Sequence, residues 1–465
     1  MNRVAVINVV GLTGGLLGPN TPRLEAFRQK GRLTPIAPAF PAVTCTAQAD
    51  YLTGQPPAQH GIVGNGWYHR ELAEVQFWKQ SNHLVRGRKI WEELRELNPG
   101  FTCAKVFWWF NMYSTADWSI TPRPMYPADG RKVFDVYTWP YALRPEIKRE
   151  LGEFPFPTFW GPAAGARTPQ GEPEAASRWI AGAAKWIEER HRPDLSLVYL
   201  PHLDYNLQRL GPAHPGIAED LRRIDNVAGD LLEFYEQRGV QPLVVSEYGI
   251  TDVNQPVHLN RLFREQGWLT VKEELGLELL DAGASKVFAV ADHQVAHVYL
   301  NEPALEKAVR RLLEKTPGVA QVLGAAEKAE QGLDHPRAGD LVAVAAENAW
   351  FTYYYWLEDR KAPDFARTVD IHRKPGYDPV ELFLDPQIPL VKLKILRRLL
   401  QKKLGFRMLM DVIPLDATLV KGSHGRRPAN QRDYPVLIVP AALSPGGEPL
   451  RSTDVYGVIK RLALG

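Results

Sequence analysis

Apolar and polar positions along the chain alternate with two periods, one typical of buried strands and one typical of helices. Short β-branched apolar runs occupy residues 4–10, 195–200 and 242–246. Helical spacing follows the first run from about Pro22 and the second run over about 217–238. Strands that are apolar on both faces and separated by helices are typical of a mostly parallel sheet. The pattern therefore predicts an α/β fold with helices flanking the sheet, and such sheets bind ligands at the carboxyl ends of their strands.

A different succession of patterns occupies residues 285–360. The elements predicted there are, in chain order, a strand at 286–300, a helix at 302–315, a short strand at 319–323 and an extended segment at 340–355. This succession lacks the strand-helix alternation of the main pattern. We therefore predict a small inserted α+β subdomain over 285–360, packed on an α/β core that residues 1–284 and 361–465 form together.

Composition narrows the class of protein. Hydrophobic residues make up 45% of the 465 residues and charged residues 23%, which is typical of a globular chain and not of a disordered one. The net charge of +3 is too small to indicate nucleic-acid binding. Two cysteines, Cys45 and Cys103, cannot supply a disulfide framework for this length, so a reducing compartment is allowed. Signal-peptide features are missing at the amino terminus, and no apolar run reaches the roughly 20 residues that span a bilayer, so we expect a cytoplasmic protein.

The segment Pro41-Ala-Val-Thr-Cys-Thr places hydroxyl groups at the start of a predicted helix. The free N–H groups and the dipole at a helix amino terminus favour an anionic oxygen and any phosphate bound there. Thr44 or Thr46 is therefore either a helix cap, the commoner role of a threonine at such a position, or a nucleophile. Cys45 is either a thiol with a lowered pKa or, more commonly, a small buried residue.

Polar residues also follow the later strands. The segments are 199–212, which contains His202, Asp204 and Gln208; 244–251, which contains Glu247 and Tyr248; and 420–425, which contains His424. The first of these segments is expected to leave a strand and enter a polar turn.

Taken together, these segments resemble the nucleotide pyrophosphatase/phosphodiesterase family, a branch of the alkaline-phosphatase superfamily. The resemblance rests on four segments that occur in the family's chain order between residues 41 and 425. It implies an alkaline-phosphatase-like core, a nucleophilic Thr44, and metal ligands at Asp204 and His424. Cys45 and His202 would lie beside them.

Several positions depart from the family's ligands. Gln208 and Tyr248 stand where the family has histidines, and Glu247 replaces an aspartate. The first strand carries Val10 where the family has a metal-binding aspartate, and its nearest polar residue is Asn8. Glutamine is a weak zinc ligand and valine is none. The resemblance then implies that Asp204, Glu247 and His424 hold one divalent ion more readily than two, zinc first and manganese second, with Asn8, Gln208 and Tyr248 lining the site.

Two functions are consistent with these residues. The first is a bacterial-type, metal-assisted hydrolase of a phosphodiester, pyrophosphate or phosphonate bond, in which Thr44 attacks the phosphorus of a small substrate. The second is a non-hydrolytic relative that binds an anionic metabolite or a partner protein in the altered site. The four substitutions favour the second function, whereas the joint presence of Thr44, Asp204 and His424 favours the first. The oligomeric state is not predicted.

Further polar residues are candidates of lower rank. His293 and His297 are four residues apart, but the alternation around them predicts a strand, on which they are not a helical metal pair. Asp292 and His258 belong to the same group of candidates. The polar segment 368–378 is either a solvated turn or a pocket wall that contacts an anion.

The segment 390–405 has an apolar stripe at helical spacing, with cations on the remaining positions. Such a helix can lie on an anionic membrane surface. More often a helix of this kind packs its apolar stripe on its own domain and leaves the lysines in water, and we expect that arrangement here.

Overall fold

A computed structural model describes residues 1–169, 171–441 and 449–465. The strands are β1 Val4–Val9, β2 Gly31–Ala37, β3 Gly66–His69, β4 Glu74–Phe77, β5 Cys103–Val106, β6 Trp118–Pro122, β7 Val136–Trp139, β8 Leu195–Leu200, β9 Gln241–Val245, β10 Thr251–Asp252, β11 Gln255–Val257, β12 Val271–Glu274, β13 Leu277–Leu280, β14 Val287–Asp292, β15 Val295–Leu300, β16 Val319–Leu323, β17 Leu341–Ala345, β18 Ala349–Phe351, β19 Gly422–Ser423, β20 Val436–Pro440 and β21 Leu450–Arg451. The helices are α1 Pro22–Lys30, α2 Thr44–Thr53, α3 Pro57–His60, α4 Ile90–Leu97, α5 Leu143–Leu151, α6 Ala175–His191, α7 His202–Leu210, α8 Ile217–Glu236, α9 Leu259–Glu265, α10 Glu306–Glu314, α11 Ala325–Glu330, α12 Val391–Lys403 and α13 Asp454–Leu464.

Nine strands form the central sheet, in the order β21-β2-β20-β9-β1-β8-β5-β6-β7. The five adjacent strands β9, β1, β8, β5 and β6 are parallel to one another. On either side of them, β20 runs antiparallel to both β9 and β2, and β7 runs antiparallel to β6. The prediction of an α/β fold with a mostly parallel sheet flanked by helices is therefore confirmed.

Both faces of this sheet are covered because the side chains of each strand alternate between two apolar clusters. On β1, Ala5, Ile7 and Val9 pack in the cluster that contains α6 and α8. Val4 and Val6 point to the other face, into the cluster that contains α2, α4 and α13. Burial on both faces explains why the strand positions are almost uniformly apolar in the sequence.

A second, antiparallel sheet has the order β14-β15-β17-β16. The prediction of one long strand at 286–300 is wrong, because the chain reverses at His293, whose φ is 62°, and forms a hairpin. All four strands of this sheet lie within 285–360. The apolar cluster on which they pack also contains residues outside that range, such as Tyr68 and Val420. The inserted subdomain with those bounds remains a prediction.

Two helices differ from the expectations. Residues 202–210 form the helix α7 where a polar turn was predicted, because its buried leucines Leu203 and Leu207 recur at helical spacing and pack on the core. In α12 the helix itself is confirmed, and the expected packing is present only in part. Val391 and Ile395 pack on the apolar cluster of the second sheet, but no residue of the helix is fully buried and most of its leucines are exposed. Within the described residues, no helix combines the length and the apolar character that crossing a bilayer requires.

A side-chain amide protects the edge of the second sheet. Asn260 on α9 donates from Nδ2 to the carbonyl of Ala289 on β14 (2.9 Å) and accepts from the N–H of Ala289 at Oδ1 (2.7 Å). Both groups belong to a strand that pairs with only one neighbour, β15. Asn260 therefore acts as a substitute for a further strand at this edge.

We expect Asn260→Ala to lower the free energy of unfolding by about 1–3 kcal/mol, since it leaves the buried amide and carbonyl of Ala289 without partners. Chemical denaturation measures the change. The matched control is Asn226→Ala, which removes the same side chain from an exposed position of α8 and should change stability by less than about 0.5 kcal/mol. Equal losses in the two variants would contradict the role of Asn260.

Candidate functional site

The site forms where three parallel strands end side by side. β9, β1 and β8 are neighbours in that order, so their carboxyl ends lie at one edge of the sheet. Asn8 lies near the end of β1, Glu247 follows β9, and Asp204 lies on α7 directly after β8. All three side chains are buried. The strand order thus brings together polar residues that are about 240 positions apart in the chain.

The carboxylate of Glu247 is held by two amides. Its Oε1 accepts from Asn8 Nδ2 at 2.5 Å and from Gln48 Nε2 at 2.6 Å. Gln48 is itself fixed, because its Oε1 accepts from the backbone N–H of Trp109 at 2.7 Å. Burial raises the pKa of Glu247 to about 8, against the opposing effect of the two amide donors. Asn8 therefore belongs to the site, whereas Val10 contributes only to the core.

The carboxylate of Asp204 is held by the two substituted positions. Tyr248 OH donates to Oδ1 at 3.0 Å, and Gln208 Nε2 donates to Oδ2 at 2.8 Å. Gln208 reaches Asp204 because residues four apart on α7 share a face. Gln208 Oε1 in turn accepts from Tyr377 OH at 3.0 Å. Burial raises the pKa of Asp204 to about 7, so this carboxylate gains its proton close to neutral pH.

Four rings stack beside this carboxylate. Their order is Tyr248, His424, His293 and Tyr377, with centroid separations of 3.5, 3.7 and 3.6 Å. Tyr248 and Tyr377 at the two ends of the stack also bond to Asp204 and Gln208. The stack and the hydrogen bonds therefore form one closed loop of side chains around Asp204, which we call the Asp204 loop.

Thr44 is the first residue of α2, and its hydroxyl points into the site. Its Oγ1 lies 3.3 Å from Tyr248 OH. Because Tyr248 donates its own proton to Asp204, Thr44 is the donor in this contact. The capping position of the helix is Val43, and no side chain caps its amino terminus. Thr44 is therefore free of the capping role that the sequence left open.

His424 is fixed by the turn that follows it. Its Nδ1 bonds to the carbonyl of Ala42 at 2.8 Å, which makes Nδ1 the protonated nitrogen and leaves a lone pair on Nε2. The adjacent Gly425 has a φ of 119°, where a side chain would be strained, and its carbonyl accepts from the N–H of Ala42 at 2.8 Å. Burial lowers the pKa of His424 well below its usual value, so the ring is neutral.

The lone pair of His424 faces Asp204. Nε2 lies 4.0 Å from Asp204 Oδ1 and finds no hydrogen-bond partner within the described part of the chain. Two acceptors that face each other in a buried site suit a shared cation. Carboxylate and imidazole are both ligands that zinc accepts, but a catalytic zinc site has three protein ligands, so these two residues form only part of a ligand set.

A second ion does not fit. Among the described residues, no group of three or more carboxylate, imidazole or thiol side chains is arranged to hold a metal. Both amide donors of Glu247 bond to its Oε1, while its Oε2 finds no partner in the described structure, and Tyr248 uses its hydroxyl as a donor to Asp204. Burial also raises the pKa of Tyr248 well above its usual value, which opposes a phenolate ligand. The residues therefore do not form the family's two-metal centre.

Asp292 connects the hairpin turn to the start of α2. It accepts from His293 Nδ1 at 2.8 Å and from the backbone N–H of Asn65 at 2.8 Å. Asn65 Oδ1 accepts from the backbone N–H of Cys45 at 3.1 Å. The Cys45 thiol is buried, and burial raises its pKa well above the usual value, so it is not a thiolate nucleophile. Asp292 thus links His293 of the ring stack, through Asn65, to the start of α2.

Other predicted residues lie outside this group. His202 Nε2 is 3.0 Å from Asp220 Oδ1, but the contact lacks hydrogen-bond geometry, and no contact of His202 with the Asp204 loop is found in the described structure. His297 bonds to the carbonyl of Val63, and His258 bonds to Thr352.

The polar segment 368–378 is not a fully solvated turn. Lys374 is 1% exposed and forms ion pairs of 2.7 Å with both Asp378 and Glu381. The same segment supplies Tyr377 to the Asp204 loop. Its buried charges therefore anchor one end of the ring stack, and nothing in its geometry directs Lys374 toward the site.

Sequence reasoning missed three residues of the site: Gln48, Asn65 and Tyr377. Gln48 lies one helical turn after Thr44, so spacing on α2 could have indicated it. Asn65 is the last residue of the segment Gly-Ile-Val-Gly-Asn at 61–65, which follows α2 and α3 in the chain. Tyr377 gives no signal in its local sequence, since only the tertiary fold brings it to Gln208.

Comparisons with known sequences agree with the resemblance. A family model described as "Type I phosphodiesterase / nucleotide pyrophosphatase" matches residues 4–378. An uncharacterised pyrophosphatase/phosphodiesterase of Schizosaccharomyces pombe is 22% identical over 253 residues, which are 52% of this chain. The match spans 44% of that curated relative, which is less than half of its length.

Solved structures share the fold. An inactive form of murine ectonucleotide pyrophosphatase/phosphodiesterase 5, in complex with AMP, has a TM-score of 0.59 at 13% identity and covers 100% of this chain and 95% of its own. The phosphonoacetate hydrolase of Sinorhizobium meliloti 1021, in complex with phosphonoformate, has a TM-score of 0.60 at 15% identity and covers 100% and 96%. At these identities the likeness establishes the architecture.

Replacing Gln48 by alanine should lower the free energy of unfolding by about 1–3 kcal/mol, because Glu247 loses one of its two amide donors and the buried N–H of Trp109 loses its acceptor. Thermal or urea denaturation would show the difference. Gln59→Ala is the control, since Gln59 is exposed in the neighbouring helix α3. If both variants are as stable as the parent, the amide network does not contribute to stability.

Proposed function

The chain belongs to the type I phosphodiesterase / nucleotide pyrophosphatase family, and we propose that it is a hydrolase of a phosphodiester, pyrophosphate or phosphonate bond that works with one divalent metal ion. The observation that carries this proposal is the unpaired Nε2 of His424, which faces Asp204 at 4.0 Å in a buried site. Asp204 and His424 would hold the ion. Zinc suits this pair best, and manganese is the second choice.

The charges of the site support the need for a cation. Burial raises the pKa of Asp292 to about 6, of Asp204 to about 7 and of Glu247 to about 8, so near neutral pH the negative charge of the site lies on Asp292 and in part on Asp204. His293 and His424 are neutral because burial lowers the pKa of each ring. A phosphate or phosphonate group brought beside these carboxylates would be repelled. A bound divalent ion supplies the positive charge that stabilises the phosphoryl oxygens.

Thr44 is the nucleophile in this proposal. Its oxygen forms a bond to phosphorus while the bond from phosphorus to the leaving oxygen or carbon breaks, and the leaving group takes up a proton from solvent water. The threonine proton passes to Tyr248 OH, which donates to Asp204 Oδ1. Water then attacks the phosphorus, breaks the bond to Thr44 and restores its hydroxyl group. Tyr248 relays the proton in this step, since it accepts the threonine proton as it passes its own to Asp204, and Asp204 releases that proton to solvent before the next turnover.

The substrate in this proposal is a small molecule with a terminal or bridging phosphoryl group. Structures of the same architecture bind AMP in the murine relative and phosphonoformate in the phosphonoacetate hydrolase. Thr44 is only 3% exposed, and the aromatic residues Trp78 and Trp160 lie against Tyr377. Because Thr44 is almost completely buried, a substrate reaches it only if side chains around the site move. The proposed setting is the cytoplasm.

One observation favours a second function, a non-hydrolytic protein that binds an anionic metabolite or a partner protein. In the half of the site around Glu247, protein amides take the place that a second ion would need. A pair of ions holds the attacking and leaving oxygens together, so a site with one ion loses part of that clamp. Activity and metal content decide between the two functions.

Elemental analysis of protein purified without chelator should find about one zinc or manganese ion per chain. We expect Asp204→Asn and His424→Ala each to abolish the stoichiometric metal, because each removes one of two protein ligands. The control His83→Ala removes an exposed imidazole that is not part of the proposed site, and this variant should retain the metal ion. Stoichiometric metal in all variants would place the ion elsewhere, and none in the parent protein would favour the binding function.

Thr44→Ala should lower the turnover of bis(p-nitrophenyl) phosphate or a phosphonate monoester by about three orders of magnitude or more, because it deletes the proposed nucleophile. Release of p-nitrophenol measures the rate. Thr44→Ser keeps a hydroxyl and should retain measurable activity, while both variants should bind as much metal as the parent. Turnover that survives in Thr44→Ala would exclude Thr44 as the nucleophile.

A further inference from the structure

The helix α12 attaches to the protein through one narrow face. Val391 and Ile395 on this face pack against the second apolar cluster. Lys394 and Arg398 on the same side form ion pairs with Asp411 at 2.8 and 3.1 Å. Spacings of three and four residues place these four side chains on one side of the helix. The orientation of α12 is therefore set, and its other side faces outward.

The outward face of α12 is a continuous row of large apolar side chains. Their exposed fractions are 76% for Leu390, 59% for Leu393, 62% for Leu396, 54% for Leu400, 65% for Leu404 and 66% for Phe406. The spacings of three and four residues from Leu393 to Leu404 give one stripe along the helix. Isolated exposed leucines are common on protein surfaces, but a contiguous stripe marks an interaction site.

Cations border this stripe. Between residues 386 and 410 the chain has seven lysines and arginines and no aspartate or glutamate. Lys394 and Arg398 are paired with Asp411. The other five are all exposed: Lys392, Arg397, Lys402, Lys403 and Arg407. Ion pairs of these five are not found in the described structure. The face is therefore apolar in its centre and positive at its margins.

We propose that this face of α12 docks on a lipid bilayer that contains anionic lipids. A helix that lies in the interface buries its apolar stripe at the level of the upper acyl chains, while lysines and arginines at its margins meet the lipid head groups. Negative lipids complement the five exposed cations. This inference is independent of the hydrolase activity.

A second copy of the chain is a poorer match for the same face. In a two-fold dimer the same patch meets itself, so the cations of one α12 would approach the cations of the other. Like charges at close range oppose such a contact. An anionic lipid surface buries the leucines and pairs the cations in one arrangement.

The test is flotation of the full chain with vesicles of phosphatidylcholine that contain phosphatidylserine, and with vesicles of phosphatidylcholine alone. We expect binding to the anionic vesicles that weakens as salt is raised. The variant Leu396→Ser with Leu400→Ser should bind at least about tenfold more weakly, because it removes the middle of the stripe. Lys392→Gln with Lys403→Gln should lose roughly fivefold per cation.

Matched controls change the same residue types at other exposed positions. Leu97→Ser with Leu275→Ser removes two leucines that are 60% and 103% exposed. Lys307→Gln with Lys315→Gln removes two exposed lysines, one on α10 and one directly after it. Both controls should bind anionic vesicles like the parent. Because all the changed side chains are exposed, circular dichroism should show the same folded state for every variant.

Three outcomes would overturn the proposal. The parent chain fails to float with anionic vesicles; the α12 leucine variant floats as well as the parent; or both controls lose as much binding as the α12 variants. Sedimentation equilibrium separates the competing occupant, since a dimer of the parent that dissociates in the Leu396→Ser, Leu400→Ser variant, without vesicle binding, would assign the face to self-association.

Discussion

The structure of the site depends on one constraint: a buried carboxylate must find donors or a cation. Asp204 has no lysine or arginine bonded to it in the described structure and is instead held by Tyr248 and Gln208. A carboxylate in this position would otherwise cost several kcal/mol to bury. The ring stack exists in this form because it places the two tyrosine hydroxyls of the Asp204 loop. Thr44 then takes its orientation from the same tyrosine.

The substituted positions form a consistent set in this light. Gln208 and Tyr248 each donate a hydrogen bond to the retained Asp204, and Asn8, two residues before the substituted Val10, donates one to Glu247. A metal ligand donates an electron pair to the cation that balances the charge of the site. These three side chains instead present the partial positive charge of an N–H or O–H group. The change of several ligands together is therefore a single physical change, in which N–H and O–H donors take over part of the charge balance that ions provide in a two-metal centre.

Much of the fold could be predicted because it depends on local patterns, and the errors occur where local patterns are ambiguous. The run 286–300 has the same apolar period on both sides of His293, so the sequence hides the hairpin. The stripe of α12 shows that one face is apolar but not what covers it. In the site, Thr44, Asp204 and His424 stand in recognisable segments, while Tyr377 is joined to Gln208 only by tertiary packing. Long-range contacts of this kind leave no trace in the local sequence.

The position of β20 in the sheet has a consequence for biosynthesis. β2 is made near the start of the chain, yet β20, which separates it from β9, comes about four hundred residues later. A ribosome that adds 5–20 residues per second needs at least about 20 seconds to cover that distance. During this time the nascent chain cannot join β2 to the parallel strands through their native neighbour. The edge of β2 is open to wrong pairing for this whole time and the edge of β9 for about half of it, so the nascent chain carries an unpaired edge strand until its last strands emerge.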